Sequence, residues 1–554
     1  MKAPISIEKL SLEGLLHFIE KNSLSIPEFQ RGYVWREKQV KSLFDSLVNR
    51  YPVGSFIIWK TNQRIGARGL FVKETKNSKQ KYFVLDGQQR LLSIFYLCKQ
   101  SSFLKVKSLF EEVYEHKEKY LLEFEHFFID KKRKPELAYL KDKNQDFDLK
   151  YFKKQLGSNY LFPLIIIDIN DYAKAIEVFE RINQAGTAIS TESIFLSEAW
   201  NKKTSLGKVL RKWRNQNKNT ICSKLDTIIF IHTLAMILQL EKIGFEKNKD
   251  NNIDISVKRL KKIAVNVRNA NTKVYEKEFS KTLKAINNST SFLSKEFNIK
   301  RISDLPSQTI VSMLAVFFYY CEDDPTKNQR KELKKWFWRA SLGSRYVGAG
   351  YTENIKKDAP RMKELAKNKK ALNIERQEFS FDDLLNTDMH TGRSAVKNSI
   401  KLMLWKNEPV WINGEKINQS EVESTKKKKE DDHFYPYNIY QSNKEKIEEN
   451  KINSILNLCY LPKTENASKQ KDLPSKWLSL RRKELKSKKS DEKLFFTNNL
   501  LPFRSIKDLR LEETGLENKN GKIKPRNFNR HFERFLKQRA KLFTKELNRV
   551  QKGS

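Results

Sequence analysis

Strand-like and helical patterns of apolar residues alternate along residues 1–205. The runs YFVLD (82–86) and FPLIIIDIN (162–170) are short, almost wholly apolar and followed by polar residues, as buried strands are. The segment DYAKAIEVFERINQAG (171–186) repeats its apolar residues every three or four positions up to Gly186, which predicts a helix with one apolar face. We therefore predict an α+β domain over residues 1–205.

Helical periodicity dominates the rest of the chain. In residues 206–395 the clearest examples are SQTIVSMLAVFFYYCEDD (307–324) and KNQRKELKKWFWRASLGSRYVGAG (327–350), and no catalytic spacing accompanies them. Residues 396–554 end in the basic helical segment FNRHFERFLKQRAKLFTKELNRV (528–550). The predicted fold is a predominantly helical α+β protein in three parts, with a helical connector in the middle.

The net charge indicates the kind of partner. The chain has 554 residues, of which 39% are hydrophobic, so it is long enough for several buried cores. Lys and Arg number 108 against 67 Asp and Glu, which gives a formal net charge of +41. Such an excess favours a polyanionic partner, most commonly nucleic acid, over the alternative of a lysine-rich soluble surface.

Cysteine use and the longest apolar runs indicate the compartment. The four cysteines are far apart and form no C-x-x-C pair, which argues against a disulfide scaffold or a cysteine-based zinc module. The apolar runs at 161–167 and 228–240 are shorter than the ~20 residues of a membrane span. The first residues also lack a signal-peptide pattern. We expect a cytoplasmic protein with no membrane association.

The first candidate site is the turn Asp86-Gly87-Gln88-Gln89-Arg90, between a predicted strand and a predicted helix. The start of a helix presents unpaired N–H groups, a glycine allows close approach, and an arginine can bind phosphate oxygens with two nitrogens. The alternative is that Asp86 merely caps the helix and nothing binds. No G-x-x-x-x-G-K-[ST] motif occurs, so an ordinary P-loop is absent.

Two further segments accompany this turn. SIPEFQRGYVWREKQVKSLFDSL (25–47) contains Gln30 and Arg31, and FERINQAGTAIS (179–190) contains Arg181 and Asn183. The three segments, in this order and without gaps, resemble the N-terminal domain of GmrSD-type modification-dependent restriction proteins. That family carries IP-x-[FY]-QR-x-[FY]-x-W, then DGQQR, then F-x-x-[IL]-N-x-x-G.

The resemblance implies a fold and an activity for the N-terminal part. The family's domain is ParB/sulfiredoxin-like, and its DGQQR turn is held to bind and hydrolyse a nucleoside triphosphate. Carried over, Asp86, Gly87, Gln88, Gln89 and Arg90 form a nucleotide site. Gln30, Arg31, Arg181 and Asn183 would close over it. The motif does not distinguish GTP, ATP, CTP and UTP.

The second candidate site lies in DDHFYPYNIYQSNKEKIEENKINSILNLCYLPKTENASKQKDLPSKW (431–477). Hydrolysis of a phosphodiester needs a base for water and oxygen ligands for a hard cation. His433 is a candidate base because imidazole titrates near neutral pH. Asp432 and Asn466 offer oxygen ligands for Mg²⁺, and Asn457 is a candidate for orienting the imidazole.

This second segment resembles the ββα-metal (HNH) nuclease core, and more narrowly the GmrD-like C-terminal nuclease domain. The resemblance implies that His433 is the general base, Asp432 and Asn466 are metal ligands, and Asn457 is structural within the catalytic set. The chain departs from relatives that read H-H-I-F-P, because Asp432 precedes His433 here. The segment between His433 and Asn457 is also longer than in compact HNH motifs.

Several lysines near this segment are candidates for contacts with a nucleic-acid backbone, and a solvated loop is the alternative for the run at 426–429. These lysines are Lys426, Lys427, Lys428, Lys429, Lys463 and Lys469. The remaining histidines have no partner at a useful spacing in the sequence, and we interpret them as structural. They are His17, His116, His126, His232, His390 and His531.

Together these features predict an NTP-dependent DNA endonuclease or nickase of bacterial anti-phage defence. The predicted substrate is double-stranded DNA, modified in its bases or backbone, and the predicted cofactors are Mg²⁺ and a nucleoside triphosphate. Homo-oligomers or other defence proteins are possible partners. One alternative is a non-enzymatic, nucleotide-switched DNA-binding regulator of ParB type, and another is an RNA-cleaving, toxin-like nuclease.

Overall fold

The computed structural model describes the greater part of the chain. The described residues are 5–21, 24–27, 30, 35, 39, 42–43, 46–47, 50–63, 67–68, 81–98, 160–184, 191–199, 206–243, 253–269, 272–321, 324–368, 372–390, 394–417, 433–443, 448–462 and 472–553. The chain forms two compact units. One comprises Met1–Lys212 with Val257–Glu276, and the other comprises Trp213–Ser256 with Lys277–Ser554.

Among the residues that the structure describes, the strands all lie in the N-terminal third of the chain. The elements up to residue 269 are β1 Ile5–Leu10, α1 Leu12–Lys21, β2 Ile26–Pro27, β3 Phe56–Thr61, β4 Ala67–Arg68, β5 Lys81–Asp86, α2 Gln88–Cys98, β6 Phe162–Asp168, α3 Tyr172–Gln184, α4 Thr191–Glu198, α5 Leu206–Gln216, α6 Thr227–Leu240 and α7 Val257–Asn269. The predicted strands at 82–86 and 162–170 and the predicted helix at 171–186 are confirmed as β5, β6 and α3.

The remaining described elements are helical. They are α8 Thr272–Phe297, α9 Thr309–Tyr320, α10 Lys327–Leu342, α11 Tyr351–Ala366, α12 Phe381–Leu385, α13 Ala395–Lys406, α14 Tyr437–Gln441, α15 Glu449–Ile452, α16 Pro474–Glu484, α17 Lys489–Asn498, α18 Ile506–Glu512 and α19 Pro525–Val550, with 3₁₀ turns at Ile221–Lys224, Ile302–Asp304 and Ile455–Asn457. The predominantly helical α+β class is therefore confirmed. The ParB/sulfiredoxin-like and HNH architectures, and the boundaries at 205 and 395, stay predictions.

The first unit is built on a four-stranded sheet with the order β1-β6-β3-β5. β3 runs parallel to β6, with Lys60 opposite Asp168, and the other neighbours are antiparallel. Side chains on one face, such as Phe56 and Leu164, share a core with α1 and α2. Those on the other face, such as Trp59, pack against α3. Because helices cover both faces, the central strand β6 is apolar at almost every position.

The second unit has a core of helices with few polar positions. In α6 and α9 nearly every side chain is buried, and Ser312 of α9 donates to the Ile229 carbonyl of α6 at 3.2 Å. The apolar run at 228–240, which is too short for a membrane span, is α6, and most of its side chains are buried. Within the part of the chain that the structure describes, no helix is long and apolar enough to cross a membrane.

The last long helix, α19, ties the C-terminal part of this unit together. Its Arg539 is fully buried and donates to the carbonyls of Leu456, Asn499 and Leu500 at 2.7, 3.0 and 3.2 Å. Burial lowers the pKa of this guanidinium to about 10, so it remains charged at neutral pH. Three backbone acceptors from two segments are thus joined to one helix.

Candidate functional site

The turn that ends β5 depends on the glycine at position 87. Gly87 has φ +85°, and a Cβ there would lie 2.5 Å from Cδ1 of the buried Phe56 ring. Only glycine satisfies both conditions without strain. α2 begins at Gln88, directly after this turn, so the sequence DG is what brings the start of the helix against β3.

The guanidinium of Arg90 connects this turn to the segment that enters β3. Nη2 donates to Asp86 Oδ2 at 3.1 Å and to the Ser55 carbonyl at 3.2 Å, and Nη1 donates to the Val53 carbonyl. The guanidinium also lies 5.5 Å from the centroid of the Phe56 ring. Arg90 therefore contributes to local structure, whatever else it binds.

The predicted glutamines are buried around the same turn. Gln30 Nε2 donates to the carbonyls of Val84 and Leu85 at 2.6 and 2.9 Å, so it satisfies the end of β5. Gln89 Oε1 accepts the backbone N–H of Trp35 at 3.3 Å. Gln88 is buried as well. The structure thus brings Gln30 together with the DGQQR turn.

The other residues predicted for this site are placed differently or lie outside the described chain. Arg181 is exposed on α3 and pairs with Glu177 at 2.6 Å. The backbone of Asn183 belongs to α3, but its side chain lies outside the described residues, as does Arg31. A nucleotide role for these residues stays a prediction.

The second candidate site is assembled from three separate segments around residues 452–458, which we call the central clip. On one side of the clip, His433 pairs with Leu458 in an antiparallel bridge, and Phe434 N–H donates to the Asn457 carbonyl at 2.7 Å. On the other side, Met389 N–H donates to the Asn453 carbonyl at 2.9 Å. The clip therefore holds two distant parts of the chain next to each other.

The side chain of Asn457 links two backbone segments of this site. Its Oδ1 accepts Tyr435 N–H at 3.0 Å, and its Nδ2 donates to the carbonyls of Tyr435 and Ile452, each at 3.0 Å. The side chain is completely buried. Asn457 is predicted from the sequence to orient the imidazole, but its amide hydrogen-bonds to the backbone of Tyr435 and Ile452 instead.

A different asparagine contacts the imidazole. Asn453 Oδ1 lies 3.0 Å from Nε2 of His433, and Nε2 of His390 lies 3.5 Å from the same atom. The sequence interpretation of His390 as merely structural did not anticipate this neighbour, because the two histidines are 43 positions apart. Asn453 lies in the asparagine-rich run KINSILN (451–457), and the sequence analysis assigned a role only to Asn457 in this run.

An aromatic ring also contacts His433. The ring of Tyr437 lies 5.5 Å from the imidazole, and its hydroxyl donates to Glu449 Oε1 at 2.9 Å. Desolvation and the neighbouring Glu449 raise the pKa of Tyr437 to about 12, so this hydroxyl keeps its proton at neutral pH.

The remaining predicted residues of this site lie outside the described chain. They are Asp432, Asn466, Lys426, Lys427, Lys428, Lys429, Lys463 and Lys469. Among the residues that are described, no group of three or more His, Cys, Asp or Glu side chains is arranged to hold a metal ion. Asn453 Oδ1 and the His390 imidazole are two described groups beside His433. The predicted Mg²⁺ site therefore depends on Asp432 and Asn466.

The structure adds a basic surface on α19. Its exposed side contains residues at successive spacings of four, four, three, four and four, which keeps them on one face of the helix. They are Arg526, Arg530, Arg534, Lys537, Lys541 and Lys545, and we call them the α19 basic face. The opposite side is buried, and there Phe528, Phe532 and Phe535 pack against Tyr435.

Comparison with known proteins agrees with the N-terminal assignment. Residues 12–200 match the sequence model of the GmrSD restriction endonuclease N-terminal domain. The chain is also 24% identical to an uncharacterized protein of Methanocaldococcus jannaschii, over 97% of this chain and 98% of that protein. The matched domain contains Gln30 and the DGQQR turn. Through this domain the chain is similar to the GmrSD-type restriction endonucleases, which supports a restriction endonuclease-like function in defence with DNA as the substrate.

Proposed function

We propose that this protein is an NTP-dependent DNA endonuclease or nickase that cuts modified phage DNA at an HNH-type site around His433. The observation that carries the proposal is the central clip. In a chain whose N-terminal domain matches a restriction endonuclease family, it holds a histidine beside two polar side chains from elsewhere in the sequence. A protein that only binds DNA has no need of this arrangement.

In the proposed reaction His433 is the general base for water. A neutral imidazole accepts the proton of the attacking water, and Asn457 fixes the segment that follows His433. Asp432 and Asn466 would hold Mg²⁺, because carboxylate and amide oxygens are the ligands that this ion prefers. The bound ion would neutralise charge on the phosphate.

The α19 basic face is the proposed binding surface for the duplex. In the described structure, Arg526, Arg530, Lys541 and Lys545 are exposed and form no ion pair with another described residue. From residue 526 to residue 545 the helix rises by about 28 Å, comparable with eight base pairs of B-DNA. Phosphates are the matching partner for such a row of cations.

The N-terminal site would supply the control. We propose that the DGQQR turn with Gln30 binds a nucleoside triphosphate and that hydrolysis licenses or resets cutting. Gln30, Gly87 and Gln89 are packed into one buried arrangement at the start of α2, where N–H groups favour anions. The match to a restriction endonuclease domain supports the proposed role in defence against phage.

The direct test is a cleavage assay with the full-length chain on modified and unmodified phage DNA. Each reaction contains Mg²⁺ and one of the four nucleoside triphosphates, or none. We expect nucleotide-dependent cutting of the modified DNA, abolished by His433→Ala. His17→Ala is the matched control, because His17 is an exposed histidine on α1. Equal cutting by His433→Ala and the wild type would overturn the assignment of the site.

Two other outcomes would redirect the proposal. Tight, nucleotide-dependent DNA binding without cutting under any condition would indicate a regulator. Cutting of RNA but not of DNA in parallel digests would indicate an RNA-cleaving nuclease.

A further inference from the structure

The inference concerns Leu511, an exposed leucine on the short helix α18. Ile506 and Leu509 fill the buried side of this helix, whereas Leu511 is 67% exposed. Residues two apart lie on opposite sides of a helix, so Leu511 is not part of the core. A single exposed leucine is common and indicates no function by itself. What distinguishes Leu511 is its position.

The two chain neighbours of Leu511 contact two different helices. Arg510 Nη2 donates to Ser479 Oγ of α16 at 2.7 Å. Glu512 Oε2 lies 3.4 Å from Nη1 of Arg534, which belongs to the α19 basic face. Leu511 therefore lies beside the surface proposed for the DNA backbone.

The surface around Leu511 is cationic. Lys507, one helical turn earlier, and Arg510 are both exposed, and the carboxylate of Glu512 is paired with an arginine. A second leucine, Leu480 of α16, follows the serine that Arg510 contacts and is 56% exposed. Apolar side chains among cations fit a partner that offers phosphates and apolar surface close together. Duplex DNA does so at the edges of its grooves, where sugars and bases adjoin the phosphates.

We propose that Leu511 is an apolar wedge that enters the minor groove of a duplex bound on the α19 basic face and bends it. This inference rests on the DNA substrate of the function proposed above. Leucine is one of the side chains that insert between base steps from the minor groove, and such wedges kink the duplex by about 20–90°. Substituents at C5 of a pyrimidine project into the major groove. A wedge in the minor groove therefore accepts DNA whose bases carry such modifications.

The test measures binding of the full-length chain to a short duplex, with EDTA present to prevent metal-dependent cutting. We expect Leu511→Ala to bind about 10-fold more weakly than the wild type, because an apolar contact is lost. The slope of log K against log salt should not change, since no charge is removed. Leu511→Met keeps an apolar side chain and should bind like the wild type. So should the matched control Leu494→Ala, which truncates an exposed leucine of α17.

A second measurement reports the bend. With a dye on each end of the duplex, the wild type should raise energy transfer on binding, whereas saturating Leu511→Ala should not. Leu511 is exposed and alanine is a good helix former, so this variant keeps its fold. The same loss of affinity is expected on a duplex whose cytosines carry a bulky C5 substituent. Disappearance of the loss on that duplex would place Leu511 in the major groove and overturn the inference.

The remaining outcomes separate this inference from the proposed function. If the wild type does not bind duplex DNA, the proposed function fails, and the wedge fails with it. If the wild type binds and Leu511→Ala matches it in affinity and energy transfer, only the role of Leu511 fails. Binding to phosphatidylserine vesicles that Leu511→Ala weakens, with DNA binding unchanged, would assign the leucine to a membrane surface and also overturn the inference.

Discussion

The hydroxyl of Tyr435, two residues after His433, lies 2.6 Å from Nε2 of His531, and both side chains are buried. Burial lowers the pKa of His531 to about 4, so the ring is neutral at pH 7, and burial raises the pKa of Tyr435, so its hydroxyl keeps its proton. Glu513 faces the same tyrosine, and its Oε2 accepts Ser475 N–H at 3.1 Å. A polar group of three residues is therefore enclosed among phenylalanines.

Glu513 makes the stability of the second unit depend on pH. Burial raises its pKa to about 7 from the usual 4.5, so the folded state holds a proton that the unfolded state releases between these values. This contribution to stability is present below pH 4.5 and is lost as the pH rises through 7. Glu513→Gln should therefore stabilise the unit at pH 8, by on the order of 3 kcal/mol, and have little effect at pH 4.5.

Urea unfolding at the two pH values measures this difference. Glu512→Gln is the control, because Glu512 is adjacent, partly exposed and paired with Arg534 at 3.4 Å. The comparison with wild type removes the opposing contribution of His531, whose lowered pKa destabilises the fold as the pH falls from 6.5 to 4. A stabilisation by Glu513→Gln of the same size at both pH values would contradict the assignment.

Gly87→Ala should loosen the end of β5 by more than a glycine substitution in open space. Gly87 and Gly515 have φ +85° and +80°, but an added Cβ meets the Phe56 ring at 87 and nothing within 4 Å at 515. We expect about 1 kcal/mol of backbone strain at Gly515→Ala and several kcal/mol at Gly87→Ala. Hydrogen exchange of β3 and β5 for Gly87→Ala, and of α18 for Gly515→Ala, gives the local free energies of opening. Equal losses would show that the Phe56 contact is unimportant.

Removing Arg90 should abolish turnover of the nucleoside triphosphate. Arg90→Ala deletes the bonds to Asp86, Ser55 and Val53 along with the proposed phosphate contact. Arg90→Lys retains one charge but not the two-pronged geometry, so we expect it to remain severely impaired. Release of inorganic phosphate with each nucleotide is the measurement, and Arg259→Ala on α7 is an arginine control in the same unit. Undiminished hydrolysis by Arg90→Ala would move the nucleotide site elsewhere.

Neutralising the α19 basic face should weaken DNA binding in a salt-dependent way. For Arg530→Gln, Lys541→Gln and Lys545→Gln combined, we expect the slope of log K against log salt to fall by about 3, since each phosphate contact contributes about 0.9. The control replaces the exposed Lys327, Lys331 and Lys357 of α10 and α11 by glutamine, which removes the same charge. Filter binding of a duplex over a range of salt concentrations measures both slopes. Equal slopes for the two triple variants would show that net charge alone governs binding.

The sequence was most informative where physical constraints are local. The apolar runs of β5 and β6 and the three- and four-residue repeat of α3 depend on neighbours along the chain, so their positions could be predicted. The same holds for Gly87, whose conformation follows from a tight turn between a strand and a helix.

The sequence was less informative about contacts between distant segments. His390 and Asn453 approach His433 only because the central clip pairs with two other segments, and nothing in their own spacing indicates this. The raised pKa of Glu513 likewise arises from enclosure under Tyr435, whereas its neighbours in the sequence are those of an exposed acidic stretch. Such features depend on tertiary packing.

The two sides of α19 have a consequence for where a duplex would be cut. One side is joined to the central clip by Arg539 and to Tyr435, in the His433 segment, by His531, and the other side carries the α19 basic face. A duplex held on that face would lie about one helix diameter, roughly 10 Å, from the segment that carries His433. The helix would then fix the distance between the bound backbone and the scissile phosphate, and this distance would not depend on the base sequence.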